Sequence, residues 1–357
     1  MGISPLMNER LTEEVGRVYA QAERDIIQRI ANRLPTDKSL PIENWEAKKL
    51  AELRQLRSGV EMHIAKKLDN YTDKELQDII QEAYTKGMDS AVADMRRHLP
   101  EDDIPVTEGF GTVHQDAVRA QTEALSGKLK ATHLRIVRQA DDVYRKAVAR
   151  GANHVLTGSG TRIEGAQLAL NEFANKGVTG FIDNAGRSWN LQSYTEMATR
   201  TNVGQAALEG HMNRMTENNQ DLVVVSAHVE SCPICDPWEG RIMSISGNSD
   251  KYPPVQEAID DGLYHPNCGH NLTAYIEGLT ETPEPEPGEE DYEDRQQQRY
   301  LERNVRKWKR REAGAMTDKA QEKASEKVSE WQGRLSEFID DTGRFRKYER
   351  EQITEAR

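Results

Sequence analysis

The sequence has few aromatic residues, few cysteines and no long apolar segment. Aromatic side chains make up 6% of its 357 residues and apolar side chains 36%, while 30% of the residues are charged. An average globular protein is more apolar and less charged, so we expect much of the chain to form solvated helices rather than a thick core. No segment approaches the roughly 18 consecutive apolar residues of a transmembrane helix, and Met1 to Arg10 lacks the layout of a signal peptide. We therefore expect a cytosolic protein without a membrane span.

The charge balance is acidic, and the few cysteines are clustered. The chain has 48 Lys and Arg against 60 Asp and Glu, a formal net charge of −12. Such acidity argues against indiscriminate binding to duplex DNA, although it leaves room for a local basic contact with nucleic acid. All three cysteines, Cys232, Cys235 and Cys268, fall in one short region. In a reducing compartment this clustering indicates metal binding rather than disulfides.

Apolar residues recur at helical spacing throughout the first 150 residues, which predicts a mainly α-helical protein. The predicted helices run from Asn8 to Arg33, from Trp45 to Asn70, from Thr72 to a stop before Pro100 and from Val113 to Arg150. Thr72 and Glu75 form a capping box at the start of the third helix. The fourth helix is too long for a compact bundle, so we predict an elongated helical region over residues 1–150.

Residues 151–280 combine helix and strand signals. The signals are two capping boxes, at Thr161 with Glu164 and at Ser193 with Glu196, a glycine-punctuated pattern over residues 177–189, and the apolar run Leu222–Val225. Each capping box begins a helix. The glycine pattern is typical of a β-hairpin, and the apolar run predicts a short buried strand. Together they predict a small α+β domain.

The C-terminal part of the chain is strongly charged. Residues 281–294 hold eight acidic groups, three prolines and no basic residue, which predicts an extended linker. Residues 295–357 predict a charged helical tail. Its first part, Arg295–Arg311, holds eight cations interleaved with Tyr300 and Trp308. Two interpretations stay open for this basic stretch. It binds a phosphate backbone or an acidic protein surface, or it is a solvated helix that neutralises the adjacent linker.

The strongest local signal is Cys232-Pro-Ile-Cys235, followed further along the chain by His265-Pro-Asn-Cys268-Gly-His270. A Cys-x-x-Cys turn points two thiolates at a common position, and the second segment offers three more donors. Because structural zinc takes four ligands, His265 and His270 compete for the position beside the three cysteines. Four protein donors leave no place for an activated water, which favours a structural Zn²⁺ over a catalytic one. The alternative is three free buried thiols and two incidental histidines.

Catalytic motifs are weak or missing. His228-Val229-Glu230 before the cysteines superficially resembles the signature of zinc deaminases. Glu230 lies too close to Cys232 for that chemistry, because there the two ligand groups come from separate helices. The sequence contains neither a His-Glu-x-x-His motif nor a Gly-x-x-x-x-Gly-Lys phosphate loop. We therefore expect that the protein is not an enzyme.

Several further segments share one family resemblance. They are Gly177–Asp183 with Gly186-Arg187 and Trp189, Tyr194–Thr201, the two cysteine and histidine segments, Gln298–Arg303, Arg306–Arg311 and Asp341–Gly343. Together they resemble the tailed-phage minor capsid proteins of the minor capsid protein 2 group. The cysteine and histidine segments are also similar to the wider Mu F-like head morphogenesis proteins, many of which have cysteine in the position of His270.

The resemblance implies a low-copy virion protein inside the capsid, present in the host cytoplasm during assembly. It implies association with the phage portal or the major capsid protein, and a role in head assembly or DNA delivery. The basic stretch adds packaged DNA as a candidate partner, and no membrane partner is expected. Two alternatives stay open. One is a DNA-binding module; the other is an ADP-ribosyltransferase-like enzyme using Arg200 and a glutamate, although Glu284-x-Glu286 lies among prolines.

Overall fold

The computed structural model describes residues 5–35, 39–69, 74–99, 110–179, 181–182, 186, 188–228, 231–265, 268–284 and 289–353, which are mainly helical. The helices are α1 (Pro5–Arg33), α2 (Ile42–Ala51), α3 (Leu53–Ile64), α4 (Lys74–His98), α5 (Thr112–Leu156), α6 (Arg162–Lys176), α7 (Leu191–Glu217), α8 (Val255–Asp260), α9 (Glu289–Ala313) and α10 (Asp318–Thr342). The strands are β1 (Phe181–Ile182), β2 (Ser188–Trp189), β3 (Leu222–Val225), β4 (Ile242–Ser244) and β5 (Leu272–Ala274). The mainly α-helical class with a small sheet is confirmed. None of the described helices is long and apolar enough to cross a membrane.

The helices of the N-terminal half follow the apolar periodicity, with one difference. The single helix predicted over residues 45–70 is divided into α2 and α3 at Glu52. The N–H of Glu52 lies 3.1 Å from the carbonyl oxygens of both Lys48 and Lys49, so the turn tightens there. Thr72, the predicted cap of the third helix, lies outside the described residues.

Two helix starts differ from the predicted positions. Helix α7 begins at Leu191 because Asn190, rather than Ser193, supplies the capping oxygen: its Oδ1 accepts the N–H of Ser193 at 2.9 Å. Helix α9 begins at Glu289, inside the segment predicted as linker. A run of acidic residues suits a helix start, because carboxylates are favourable near the positive end of the helix dipole.

The other local signals of the middle region are confirmed. The Thr161 hydroxyl accepts the N–H of Glu164 at 3.2 Å, and the Glu164 carboxylate accepts the N–H of Thr161 at 2.8 Å, which completes the capping box of α6. Strands β1 and β2 form an antiparallel pair with Phe181 opposite Trp189. The apolar run Leu222–Val225 forms the central strand of an antiparallel sheet with the order β4-β3-β5.

The chain forms two units, each assembled from three separated stretches of sequence. Unit 1 comprises Met1–Thr12, Asp73–Gly127 and Glu196–Gln296, and unit 2 comprises Glu13–Thr72, Lys128–Thr195 and Gln297–Arg357. The sequence predicts a different division, into the consecutive regions 1–150, 151–280, 281–294 and 295–357. That division stays a prediction.

Unit 1 contains a close contact between helix backbones. A Cβ atom on Gly87 of α4 would lie 2.0 Å from the carbonyl oxygen of Ala207, and a Cβ atom on Gly210 of α7 would lie 2.2 Å from that of Tyr84. Glycine is therefore required on both facing surfaces. The sheet completes this unit, with Val223 and Val225 of β3 fully buried in the same apolar cluster as Met95.

Unit 2 encloses a buried ion pair. The guanidinium of Arg310 in α9 donates to the carbonyl oxygen of Ala174 at 2.9 Å and lies 3.6 Å from the carboxylate of Glu23 in α1. The other carboxylate oxygen of Glu23 accepts the N–H of Val178 at 2.6 Å. Arg306 is also buried and donates to the carbonyl oxygen of Arg350 at 2.6 Å. Two cations of the basic stretch are thus internal contacts of unit 2.

Candidate metal centre

The cysteine and histidine segments meet because they flank neighbouring strands of the unit 1 sheet. Strand β3 pairs with β5 in antiparallel fashion, so the end of β3 lies beside the start of β5. Ser226, just after β3, and Asn271, just before β5, exchange two hydrogen bonds of 2.9 Å. The turn at Cys232 and the residues Cys268 and His270 therefore lie at the same end of the sheet, where β3 ends and β5 begins.

Each segment folds back on itself through local hydrogen bonds. The carbonyl oxygen of Cys232 accepts the N–H groups of Cys235 and Asp236 at 3.0 Å, which forms the expected turn. In the second segment the N–H of Cys268 donates to the carbonyl oxygen of His265 at 2.9 Å. Pro266 and Asn267, between these two residues, lie outside the described residues.

The predicted donors form two overlapping groups, Cys232 with Cys235 and His265, and Cys235 with Cys268 and His270, and the donor atoms of each group lie within 4.8 Å of one another. The Sγ of Cys232 lies 3.0 Å from Nε2 of His265, the Sγ atoms of Cys235 and Cys268 are 3.5 Å apart, and the Sγ of Cys268 lies 3.4 Å from Nδ1 of His270. Around a tetrahedral zinc with Zn–S bonds of about 2.3 Å, neighbouring sulfurs are about 3.8 Å apart. Within each group the donor separations are therefore close to those of ligands that share one ion.

The pKa values of the three thiols are shifted in different directions within the cluster. Hydrogen bonds from Cys235 lower the pKa of Cys232 and Cys268 more strongly than burial raises it, and the histidines act in the same direction. The same hydrogen bonds, together with burial, raise the pKa of Cys235. Thiols with a lowered pKa favour a cation, and none of the three cysteines is in a disulfide.

A second group of donors adjoins the cysteines. Nε2 of His270 lies 2.7 Å from Oε1 of Glu239, and the rings of His228 and His270 are 4.3 Å apart between centroids. The donor atoms of His228, Glu239 and His270 all lie within 4.8 Å of one another. Burial lowers the pKa of His270, but the hydrogen bonds that its ring donates to Cys268 and Glu239, together with their charges, raise it above its ordinary value.

Tyr264 is the other unusual residue of this centre. It precedes His265 and has a φ of 63°, a left-handed conformation that is strained for an aromatic residue. Its hydroxyl is buried and has no hydrogen-bond partner among the described residues. Burial, together with the nearby thiols of Cys268 and Cys235, raises the pKa of Tyr264 well above its ordinary value.

Glu239 and Tyr264 were missed by the sequence reasoning, which paired His228 with Glu230 instead. Glu230 lies outside the described residues, and the carboxylate that contacts the histidines is Glu239. No spacing rule connects Glu239 with His270, because their contact depends on the pairing of β3 with β5. Of the residues considered for an ADP-ribosyltransferase, Glu286 also lies outside the described residues.

Sequence comparisons find similar proteins in two phages. It is 26% identical over 308 residues, 82% of either chain, to a protein named "Structural protein" from Lactococcus phage LL-H. It is 31% identical over 114 residues to a "Structural protein" from Lactococcus phage mv4, which covers 29% of this chain and 93% of that relative. No solved structure is significantly similar to it.

A family model matches almost the whole chain and so shows the family to which it belongs. The model of the family "Phage minor capsid protein 2" matches residues 3–340. The chain therefore belongs to the phage minor capsid protein 2 family, and the resemblance seen in its motifs is confirmed.

Proposed function

We propose that the protein is a low-copy structural component of the virion, located inside the capsid near the portal and required for head assembly or DNA delivery. The observation that carries this proposal is the family match over residues 3–340, which includes most of both units. The relative from phage LL-H is matched over 82% of its own length, so the likeness is not confined to one shared segment. The protein would act by binding other virion components rather than by catalysis.

The tail offers a surface suited to such binding. Phe345 is 87% exposed and Tyr348 is 61% exposed, both just after α10. Large aromatic side chains contribute strongly to protein interfaces because they bury much area at low entropic cost. We propose that these two residues contact the portal or the major capsid protein.

The basic stretch contributes a smaller contact than its sequence indicates. Arg306 and Arg310 are buried and bonded within unit 2, so they are excluded from an external surface. Arg303 is exposed, and Lys307 and Arg311 are half-buried beside Trp308. We propose that these three cations contact packaged DNA or an acidic protein surface.

We also propose that Cys232, Cys235 and Cys268, with His265 or His270, hold one structural Zn²⁺. The support is the contacts between these donors at separations of 3.0 to 3.5 Å and the lowered pKa of Cys232 and Cys268. A zinc held by four side chains links the turn after β3 to the segment before β5. Because such binding contributes folding free energy on the order of 10 kcal/mol, it would order a domain with a small apolar core.

The proposal is tested by complementation of a phage whose gene for this protein is interrupted. Supplying the chain with Arg303→Glu, Lys307→Glu and Arg311→Glu should lower the titre, and Phe345→Ser with Tyr348→Ser should lower it independently. The matched control is Lys319→Glu with Lys323→Glu, two exposed lysines of α10. Far-UV circular dichroism of each purified variant checks that the fold is retained.

The outcomes separate the possible partners. If the cations bind DNA, retention of the purified protein on duplex DNA should weaken steeply with salt, with a logarithmic slope of about −0.9 for each phosphate contact. If they bind protein, the variant should fail to enter heads while the wild-type chain shows no such DNA retention. Normal growth of the interrupted phage without any complementing protein would contradict the proposed function.

A further inference from the structure

We propose that unit 1 contains a second metal site, formed by His228, Glu239 and His270, which takes a divalent transition-metal ion. This site adjoins the proposed zinc cluster and goes beyond it. It assigns His265, rather than His270, to the cysteines, so that zinc has the ligands Cys232, Cys235, His265 and Cys268.

The geometry of the three side chains is that of a small donor pocket. Their donor atoms lie within 4.8 Å of one another, and Glu239 and His270 are only 5% and 6% exposed. Gly269 allows the close approach of His228, because a Cβ atom at that position would lie 3.1 Å from its Nε2. The hydroxyl of Ser231 lies 3.5 Å from Nε2 of His270 and adds a polar group.

Two donor atoms of this pocket lack hydrogen-bond partners among the described residues. They are Nε2 of His228 and Oε2 of Glu239, and both are buried. A buried polar atom without a partner costs free energy, so native proteins rarely keep two side by side. Oε1 of Glu239 is already used, since it accepts the N–H of His228 at 3.2 Å and contacts His270. A bound cation would satisfy both remaining atoms at once.

The two nitrogens of His270 can serve the two sites separately. Nδ1 faces the Sγ of Cys268 at 3.4 Å, and Nε2 faces Glu239 at 2.7 Å. An N–H on Nδ1 would donate to the Cys268 thiolate, which leaves the lone pair of Nε2 for the second metal. Four donors already complete the zinc shell without His270.

Charge and donor type define the ion. Two imidazoles and one carboxylate suit first-row divalent ions such as Zn²⁺, Fe²⁺ or Co²⁺ rather than Ca²⁺ or Mg²⁺, which prefer oxygen. The positive charge of Arg295 acts on His228 and opposes a second cation. The carboxylate of Glu239 and the net negative charge of a zinc bound by three thiolates both favour a second cation.

A single-site arrangement is the alternative. There, Nδ1 of His270 binds zinc and Glu239 only orients the ring, which is a common pattern at metal centres. That arrangement uses neither Nε2 of His228 nor Oε2 of Glu239. The two arrangements differ in the number of metal ions per chain.

Cobalt titration of the full-length, metal-free, reduced protein distinguishes them. Co²⁺ bound by thiolates gives a sulfur-to-cobalt charge-transfer band, whereas Co²⁺ bound by imidazole and carboxylate does not. We expect two cobalt ions per chain by elemental analysis, with the charge-transfer band saturating at one. In His228→Ala and in Glu239→Gln the total should fall to one with an unchanged band. His154→Ala, which alters a histidine of unit 2 outside these clusters, should keep two.

Three results would overturn the proposal. The first is a wild-type chain that binds one cobalt ion and shows the charge-transfer band. The second is retention of two ions in both pocket variants. The third is loss of the charge-transfer band together with the second ion in both variants, which would show that Glu239 and His228 support the cysteine cluster instead of forming a separate site. A chain that binds one ion without the band, and loses it in His228→Ala, would support the second site and refute the zinc cluster.

Discussion

Replacing Gly87 by alanine tests the close contact between α4 and α7. The new Cβ would lie 2.0 Å from the carbonyl oxygen of Ala207 and 3.0 Å from the backbone nitrogen of His211. Both are backbone atoms, so no side-chain rotation relieves the clash and the helices must separate. Overpacking of this kind costs about 1–3 kcal/mol, while alanine in a helix interior regains about 0.5–1 kcal/mol over glycine. We expect the free energy of unfolding to fall by roughly 1–2 kcal/mol.

Urea unfolding followed by circular dichroism measures this change, and Gly127→Ala is the matched control. Gly127 lies in the exposed interior of α5, and a Cβ there would meet nothing within 4 Å. The control should therefore gain about 0.5–1 kcal/mol, which is a change of opposite sign. Gly210→Ala should destabilise like Gly87→Ala, and the double variant should lose less than the sum because one helix displacement relieves both clashes. A Gly87→Ala protein as stable as wild type would refute the reasoning.

Three further predictions concern buried groups. Glu23→Gln leaves the Arg310 guanidinium buried without its carboxylate, so the free energy of unfolding in urea should fall by about 3–5 kcal/mol. The control is Glu172→Gln, which removes a surface pair with Lys146 and should leave the free energy of unfolding nearly unchanged. Equal effects of the two substitutions would contradict the argument. Burial lowers the pKa of His133 more than Asp69 raises it, so the native state resists protonation of this ring. The stability that His133 contributes is present above about pH 6.5 and is lost as the pH falls toward the native pKa. His133→Gln should therefore lose less stability than wild type between about pH 7 and pH 5, and an identical pH dependence would refute this. Cys268→Ser should lose both bound zinc and the resistance of residues 151–278 to limited proteolysis, whereas a metal-free variant with unchanged digestion would show that zinc does not order the region.

The local elements of the fold were predictable because they depend on neighbouring residues. Apolar steps of three and four located α1, α4 and α5, and the Thr161 and Glu164 pair located the start of α6. The break at Glu52 and the early start of α9 were not predicted, since both depend on small energetic differences within an otherwise helical segment.

The cysteine cluster was predictable for a similar reason, whereas its surroundings were not. Cys232 and Cys235 are three positions apart, and a single turn brings them together. Glu239 contacts His270 only because strand β3 pairs with β5, and Arg310 reaches Glu23 only through the packing of helices distant in sequence. Such long-range contacts leave no periodic pattern, so a basic stretch that reads as an exposed surface proved to be partly buried.

Cross-linking mass spectrometry of purified, DNA-filled heads tests the central claim most directly. The account predicts a low-copy protein inside the particle, with cross-links from Lys307 or Lys347 of the tail to the portal or to the major capsid protein. Absence of the chain from filled heads, or a chain in them without a cross-link to either partner, would contradict the account.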